Sequence, residues 1–342
     1  MESLNKSELS QWIICKNKLK SLSLFRSIIL FIMVIVLIVI GSGSIKLKPL
    51  EEHRIYLYSK YKNATSFIFF NSIEKQNKNF TSTILNSKEK KTFDVVLSYY
   101  AEDQAFVGRY IRYIKNVSSL QQLNIRIIIY NKNSNVNNTQ LKVNLKADIV
   151  YGLSNIGREG ATFLYHIISN YNKLADHIIF SQAGVEGIND KGLDDWYYDR
   201  LQNQFNSSLG YMPLVVNHMI SKDMCGHHGT GNFLRLVDLW GMLQQTLCPT
   251  NGFSVAFRGQ FLVSKQRILQ KPLSIYKYIY EIITGHNTHW IHTDPRAPPG
   301  FYSKPEQPVF GYVVERAWTI IFNCTGLDLA DRCAQKKCGC YD

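Results

Sequence analysis

The stretch Asn155-Ile-Gly-Arg-Glu-Gly160 decides the fold, because it lies between two predicted strands and opens a predicted helix. Ile149 to Tyr151, just before it, is predicted to be a buried strand, and His177 to Phe180 is predicted to be the next strand. Between them, apolar residues recur at the spacing of one helix face: Leu164, Ile167, Ile168 and Tyr171. A strand–helix–strand unit of this kind is typical of a parallel sheet.

The turn into this helix carries polar groups suited to chemistry. Asn155 is predicted to cap the helix, and Glu159 lies in the first turn, where a negative charge is favoured. Gly157 and Gly160 leave the first backbone amides uncovered, and Arg158 adds a permanent forked cation. Two interpretations are open here. The turn either cradles a phosphate or carboxylate, or the glycines allow close packing while Arg158 pairs with Glu159 or another neighbour.

The segments before this unit extend the same alternation. Asp94 to Tyr99 predicts a first strand, Phe106 to Val117 a helix, Ile125 to Tyr130 a second strand, and Asn131 to Lys146 a polar loop. The sequence therefore predicts an α/β domain with an open, mostly parallel sheet and helices on both faces. Beyond Gly187 the pattern is irregular, and it predicts these segments in order: a helix over Leu236–Leu247, a strand over Phe253–Val263, a helix after Pro272, a long loop over His286–Pro308 and a helix over Val314–Ile321.

An uncharged segment precedes this domain. Ile28 to Ile40 is an unbroken apolar run, and at about 1.5 Å per residue the span from Ser27 to Ile45 can cross most of a bilayer. Basic residues precede it, which predicts a cytosolic N-terminus and a single-pass type II membrane protein of the Golgi or endoplasmic reticulum. A cleaved signal peptide is the alternative, because Gly41-Ser-Gly-Ser44 supplies small residues. The predicted organisation is a cytosolic tail (1–26), a transmembrane signal anchor (27–45), a stem (46–92), a lumenal α/β domain (93–323) and a Cys-rich tail (324–342).

Charge and cysteine content agree with this placement. The chain carries 39 Lys and Arg against 26 Asp and Glu, a formal net charge of +13. This balance favours anionic partners such as nucleotide phosphates, or simply a solvated lysine-rich surface. No basic–aromatic pattern indicates nucleic acid.

The predicted lumenal part has cysteines for up to three disulfides, at positions Cys225, Cys248, Cys324, Cys333, Cys338 and Cys340. It also holds Asn-x-Ser/Thr triplets that predict a glycoprotein, beginning at Asn63, Asn79, Asn116, Asn137, Asn206 and Asn323.

Several clusters are candidates for chemistry. His286, His289 and His292 recur at three-residue spacing, and Cys225-Gly-His-His228 forms a second group. Either can be a zinc site or a set of loop histidines bonded to backbone. Asp194 and Asp195 precede Trp196, and Asp190 lies nearby. These aspartates can serve as a metal ligand, as a catalytic base or as helix caps.

Glu315 beside Arg316 is a candidate catalytic carboxylate or a plain ion pair. The chain contains no Gly-x-Ser-x-Gly, Walker or kinase signature, which excludes the hydrolases and kinases that those motifs define.

Six blocks of the chain, in this order, resemble an uncharacterised, largely fungal family classed as a domain of unknown function. They are Asn155-Ile-Gly-Arg-Glu-Gly160, Tyr165-His-Ile-Ile168, Asn170-Tyr-Asn-Lys-Leu174, Ile178-Ile-Phe-Ser-Gln-Ala183, Phe261-Leu-Val-Ser264 and Val314-Glu-Arg-Ala-Trp-Thr-Ile-Ile-Phe322. The resemblance covers residues 95–322. The layout is also similar to that of nucleotide-sugar glycosyltransferases of the GT-A type, which favour type II Golgi anchors.

This second resemblance implies transfer of a sugar from a nucleotide-sugar donor to a glycan or glycoprotein acceptor. It implies that the donor is bound by Tyr99 or Tyr100, which stacks on the nucleotide base. The remainder of the donor is then bound by Asn155, Gly157, Arg158 and Gln182. It assigns the catalytic base to Glu315, Asp194 or Asp195.

GT-A enzymes usually carry Asp-x-Asp where this chain has Ser181-Gln-Ala183. No residue is therefore assigned to a metal, and a divalent cation such as Mn²⁺ is an open alternative. Two other functions are open: a non-catalytic lumenal binding protein on the same fold, and a metal-dependent hydrolase that uses the histidine clusters.

Overall fold

The computed structural model describes residues 90–184, 197–228 and 231–342, which belong to one compact unit, Ser87–Asp342. The predicted tail, the anchor and nearly all of the stem lie outside the described residues, so those boundaries stay predictions. Asp190, Asp194 and Asp195 also lie outside them. Within the described ranges, no helix is both long enough and apolar enough to cross a bilayer.

Strands and helices alternate in the first half of the domain. The strands are β1 (Thr92–Tyr99), β2 (Asn124–Asn131), β3 (Ile149–Gly152), β4 (His177–Gln182), β5 (Leu209–Pro213), β6 (Ile220–Asp223), β7 (His227–His228), β8 (Gly231–Asn232), β9 (Phe253–Ala256), β10 (Phe261–Ser264) and β11 (Cys340–Tyr341). The helices are α1 (Gln104–Asn116), α2 (Asn138–Leu145), α3 (Arg158–Asn170), α4 (Arg235–Gln244), α5 (Lys265–Leu269), α6 (Leu273–Ile283), α7 (Phe310–Ile321) and α8 (Leu329–Ala334).

The central sheet has seven strands in the order β11-β5-β10-β4-β1-β2-β3. The pairs β4–β1, β1–β2 and β2–β3 are parallel, as the alternation of strands and helices predicts. In β1 the seven residues from Phe93 to Tyr99 are all buried, so both faces of the sheet are covered at its centre. The strands β10, β5 and β11 add an antiparallel arm that the sequence pattern did not reveal.

Three sequence-based expectations are wrong in detail. The strand at Ile149–Tyr151 is not buried, because β3 is the edge of the sheet and Tyr151 is exposed. The predicted loop 131–146 contains α2, whose eight residues bury only Leu141 and Leu145 and so show little periodicity. The predicted strand 253–263 is split into β9 and β10, because Arg258 and Gly259 adopt positive φ values of 72° and 55°.

The C-terminal residues belong to the sheet itself. β11 pairs with β5, and the carboxylate of Asp342 bonds the guanidinium of Arg267, with 2.8 Å between Oδ1 and Nε. Three disulfides join the predicted lumenal cysteines, in the pairs Cys225–Cys248, Cys324–Cys340 and Cys333–Cys338. The second of these links the end of α7 to β11, so it fastens the edge of the sheet to the helical layer.

Removal of the Cys324–Cys340 bridge should cost more stability than removal of Cys333–Cys338. The two bridges close loops with separations of 16 and 5 residues, and the chain-entropy relation gives about 3 and about 2 kcal/mol for them. Urea unfolding of the two double Cys→Ala variants, followed by fluorescence, measures both losses. An equal or larger loss for the shorter loop would contradict this expectation.

Candidate functional site

A polar pocket lies where β1, β2 and β4 end. Backbone hydrogen bonds hold the three strand ends side by side, with Lys132 N donating to Tyr99 O at 2.8 Å and Ala183 N to Ser98 O at 2.9 Å. The pocket, called the strand-end pocket below, has a volume of about 350 Å³. Its walls are formed by Ser98, Tyr100, Glu102, Lys132, Asn155, Arg158, Glu159, Gln182, Lys304, Glu306 and Gln307. Crevices at the carboxyl ends of parallel strands are where ligands bind in open α/β sheets.

The structure brings together four of the predicted donor-binding residues: Tyr100, Asn155, Arg158 and Gln182 line the strand-end pocket. They lie at or after the ends of three strands, with Tyr100 after β1, Asn155 and Arg158 after β3 and Gln182 at the end of β4, so their convergence is a property of the sheet topology. Tyr100 is 50% exposed, whereas Tyr99 is 3% exposed and is not part of the pocket wall.

The other predicted site residues lie elsewhere. Gly157 forms the turn behind the pocket and does not line it. Glu315 also stands outside the lining, and the predicted bases Asp194 and Asp195 lie outside the described residues. The roles assigned to all these residues remain predictions.

The turn before α3 has an unusual backbone. Gly157 and Arg158 adopt positive φ values of 69° and 52°, and Gly157 N donates to Pro305 O at 2.7 Å. A Cβ at position 157 would lie 2.5 Å from Ala161 Cβ, so this position requires glycine. The expectation that Asn155 caps the helix is wrong: Gly157 is the residue before the helix, and Asn155 lines the pocket instead.

Lys132 is the most deeply placed cation of the pocket, with 5% of its surface exposed. Its Nζ donates to the carbonyl oxygens of Ile156 and Arg158, at 2.6 and 2.5 Å. Burial lowers the pKa of Lys132 to about 8, although the charge of Glu159 opposes this shift. An ammonium has three donors, and these two carbonyls are its acceptors among the described residues, so one donor remains for a ligand.

Arg158 forms the neighbouring part of the wall. Its guanidinium carbon lies 4.6 Å from the ring centre of Tyr312, a cation–π contact. Its Nε is 3.7 Å from Glu159 Oε2, which is too far for a hydrogen bond. The close-packing interpretation applies to Gly160, where an added Cβ would lie 3.1 Å from Ile283 and 3.3 Å from Val314. Arg158 itself is held against the pocket without a tight ion pair to Glu159.

Two carboxylates, Glu159 and Glu315, lie close enough for their charges to interact. Glu159 lines the strand-end pocket, and the half-buried Glu315 accepts a hydrogen bond from Arg258 N at 3.0 Å. Burial and then the charge of Glu159 raise the pKa of Glu315, while the bond from Arg258 and nearby arginines lower it. Glu102, also part of the lining, accepts from the backbone N–H groups of Tyr100 and Ala101 and so shapes the loop after β1.

The last residues of β4, Ser181 and Gln182, carry no carboxylate for a divalent cation. The Ser181 hydroxyl is fully buried and donates to Gln182 O at 2.8 Å, and Gln182 contributes only an amide to the pocket. Hard cations such as Mn²⁺ prefer carboxylate oxygens, and in the described part of the pocket these come from Glu102, Glu159 and Glu306 and not from β4. Across the described ranges, His, Cys, Asp and Glu form no group of three able to hold a metal ion.

The histidine clusters have structural partners. His292 bonds Ser303 Oγ through Nδ1 at 2.8 Å and Gly285 O through Nε2 at 3.0 Å. His289 Nδ1 accepts from Ile291 N, and Cys225 is part of a disulfide. The metal-hydrolase interpretation therefore has no support among the described residues.

Sequence reasoning missed part of the wall. Lys132 directly follows β2, so attention to every strand end would have found it. Lys304, Glu306 and Gln307 lie in the long loop before α7 and gave no signal. The loop reaches the pocket through the bond from Gly157 N to Pro305 O and a tight turn closed by Gln307 N and Lys304 O at 2.9 Å.

The family described as "Protein of unknown function (DUF3431)" matches residues 110–341, and the chain belongs to it. A comparison with curated proteins found no match.

Part of this chain is similar to solved structures of glucosyl-3-phosphoglycerate synthase from Mycobacterium tuberculosis. The complex with UDP shares 13% identity over 57% of this chain and 65% of that chain, with a TM-score of 0.29. The complex with Mn²⁺, UDP and phosphoglyceric acid shares 14% identity over 57% and 64%, with a TM-score of 0.31. The match spans less than two thirds of those chains. Similarity at this level does not assign an activity.

Anion binding at the strand-end pocket should weaken as pH rises through 8. Lys132 loses its proton there, and an anion binds the charged form, so affinity should fall roughly tenfold between pH 7 and pH 9. Sulfate is a suitable probe, because its own charge is constant over this range. Calorimetric titration at constant ionic strength measures the effect. The variant Lys132→Met should bind weakly at both pH values, and a pH-independent wild-type affinity would contradict the assignment.

Glycine should be more stable than alanine at position 158, by about 1 kcal/mol, because a side chain at φ 52° is strained. Urea unfolding of Arg158→Gly and Arg158→Ala measures the difference. Lys142 in α2 provides the matched control, since alanine is favoured over glycine within a regular helix. If the alanine variant is more stable than the glycine variant at position 158, as it should be at position 142, the turn is not strained.

Proposed function

We propose that this protein is a glycosyltransferase, which binds the diphosphate of a nucleotide sugar in the strand-end pocket and transfers the sugar to a hydroxyl group. The observation that carries the proposal is the convergence of Tyr100, Asn155, Arg158 and Gln182 with the buried Lys132 in one solvent-reachable pocket. An aromatic ring, amides and fixed cations are the groups that recognise a base, a ribose and a diphosphate.

The positively charged groups of the pocket can bind a diphosphate directly, although the chain lacks the Asp-x-Asp motif at the end of β4. Lys132, Arg158 and Lys304 line the pocket, and the N-terminus of α3 adds partial positive charge. Because Lys132 is desolvated, its interaction with a phosphate is screened less than that of a surface lysine. These groups support transfer without a metal, and a divalent cation such as Mn²⁺ stays an open alternative.

Transfer requires a base for the acceptor hydroxyl. The hydroxyl oxygen attacks the anomeric carbon, the bond from that carbon to the diphosphate breaks, and the electron pair leaves with the diphosphate. The hydroxyl proton passes to a carboxylate within hydrogen-bond reach. Glu159 is the favoured base because it lines the pocket, and Glu315 stands behind it as a positioning residue. Asp194 and Asp195 remain alternatives.

A second function uses the same pocket without transfer. The replacement of Asp-x-Asp by Ser181-Gln-Ala183 favours a binding protein that retains the donor site and lacks chemistry. In either case we propose a type II protein of the secretory pathway, anchored through residues 27–45, with a glycan or glycoprotein as its partner.

Arg158→Ala should weaken donor binding roughly tenfold to 100-fold, since a hydrogen bond to a charged group is worth about 1.5–3 kcal/mol. The experiment is a thermal-shift screen of the purified protein with UDP-, GDP- and CMP-sugars, each with Mn²⁺ and with EDTA. A ligand that binds only the native state must raise the unfolding temperature. Arg112→Ala is the matched control, because Arg112 is an exposed arginine in α1 that does not line the pocket.

The outcomes separate the two functions. Donor binding together with product formation, both reduced by Arg158→Ala and unaffected by Arg112→Ala, is the result expected of a transferase. Donor binding without hydrolysis or transfer with any acceptor favours the binding protein. If no nucleotide sugar raises the unfolding temperature of the wild-type protein, the donor-site proposal is wrong.

A further inference from the structure

Two consecutive aromatic side chains stand exposed beside the strand-end pocket. Tyr302 is 95% exposed and Phe301 is 40% exposed, in the loop that precedes α7. Large aromatic side chains gain free energy when they leave water, so this pair, called the aromatic shelf below, provides favourable contact area for a ligand.

The shelf is fixed in place. Phe301 forms T-shaped ring pairs with Tyr312 and Phe233, with ring centres 5.6 and 5.8 Å apart. The hydroxyl of Ser303, the next residue after Tyr302, bonds His292 Nδ1 at 2.8 Å and accepts from Val309 N at 3.1 Å. A ligand that binds here meets a loop whose position is already set by Phe301 and Ser303, which reduces the entropic cost of binding.

The shelf is continuous with the pocket. Tyr312 is the ring partner of Phe301, and the guanidinium of Arg158 lies over its face, 4.6 Å from the ring centre. Immediately after the shelf, the turn from Lys304 to Gln307 lines the pocket. Along the chain, the surface thus changes within a few residues from exposed aromatic rings at Phe301 and Tyr302 to the charged and polar groups of the pocket wall.

Exposed aromatic rings next to polar and charged side chains match the chemistry of a carbohydrate. A pyranose ring presents a face of C–H groups that packs on an aromatic ring, and a rim of hydroxyls that bonds amides and charged groups. We propose that the aromatic shelf is the acceptor subsite and binds an oligosaccharide, with one sugar stacked on Tyr302 and Phe301 and the next directed toward Glu306 and Gln307. The assignment of this saccharide as acceptor rests on the proposed transferase function.

The test uses the full chain and neutral disaccharides as probes, namely mannobiose, lactose, cellobiose and diacetylchitobiose. Saturation-transfer NMR and titration should show millimolar binding of at least one of them. Tyr302→Ala should weaken it roughly two- to tenfold, the loss expected for one stacked ring. Because Tyr302 is almost fully exposed, its removal leaves the fold intact, and Phe301→Leu provides a second variant. Tyr341→Ala, another exposed tyrosine in β11, is the matched control and should not change binding.

Nucleotide-sugar binding is measured in parallel on the same samples, where Tyr302→Ala should have no effect. Saccharide binding that depends on Tyr302 supports the shelf, even if no nucleotide sugar binds and the transferase proposal fails. If no disaccharide binds to the wild-type protein, or if binding is equal in Tyr302→Ala, the shelf is not a saccharide subsite. Concentration-dependent self-association that disappears in Tyr302→Ala, without saccharide binding, would identify the shelf as a protein contact and overturn the proposal.

Discussion

The ammonium of Lys132 ties the end of β2 to the turn that opens α3. By donating to the carbonyl oxygens of Ile156 and Arg158, it holds Gly157 and Arg158 at positive φ. Because the ammonium is buried, water cannot replace these two acceptors. The positions of Asn155 and Arg158 in the pocket wall depend on that turn. The bond from Gly157 N to Pro305 O then attaches the long loop before α7 to the same turn. One buried charge therefore orders three separate segments around one pocket.

The parallel half of the fold was predictable because its physical signals are local. Apolar periodicity in α3 and continuous apolar runs in β1 and β2 report burial directly. The convergence of Tyr100, Asn155 and Gln182 was predictable as well, because parallel strands end at one edge whatever their sequence. The antiparallel arm was not, since its strands are short and its order is set by contacts between residues far apart in the chain.

The pocket residues that escaped prediction share a different cause. Lys304 and Gln307 reach the site only because Pro305 accepts a bond from a residue about 150 positions earlier, and no pattern of neighbouring residues encodes such a contact. Asn155 was assigned to helix capping on its residue type, but the left-handed turn moved the helix start two residues on and released its side chain to the pocket. Local preference was overruled by the geometry that Lys132 and Gly157 impose.

The C-terminal strand has a consequence for how the protein is made. β11 completes the sheet against β5, and Cys338 N bonds Gln204 Oε1 across a separation of 134 residues. Pairings of such high sequence separation form slowly, because loop closure must precede any gain in contacts. During synthesis the parallel half can fold while residues 338–342 are still within the ribosome, so the edge of β5 stays unpaired for that interval. An open strand edge can pair with another chain, so this interval is the one in which the nascent protein is most exposed to aggregation.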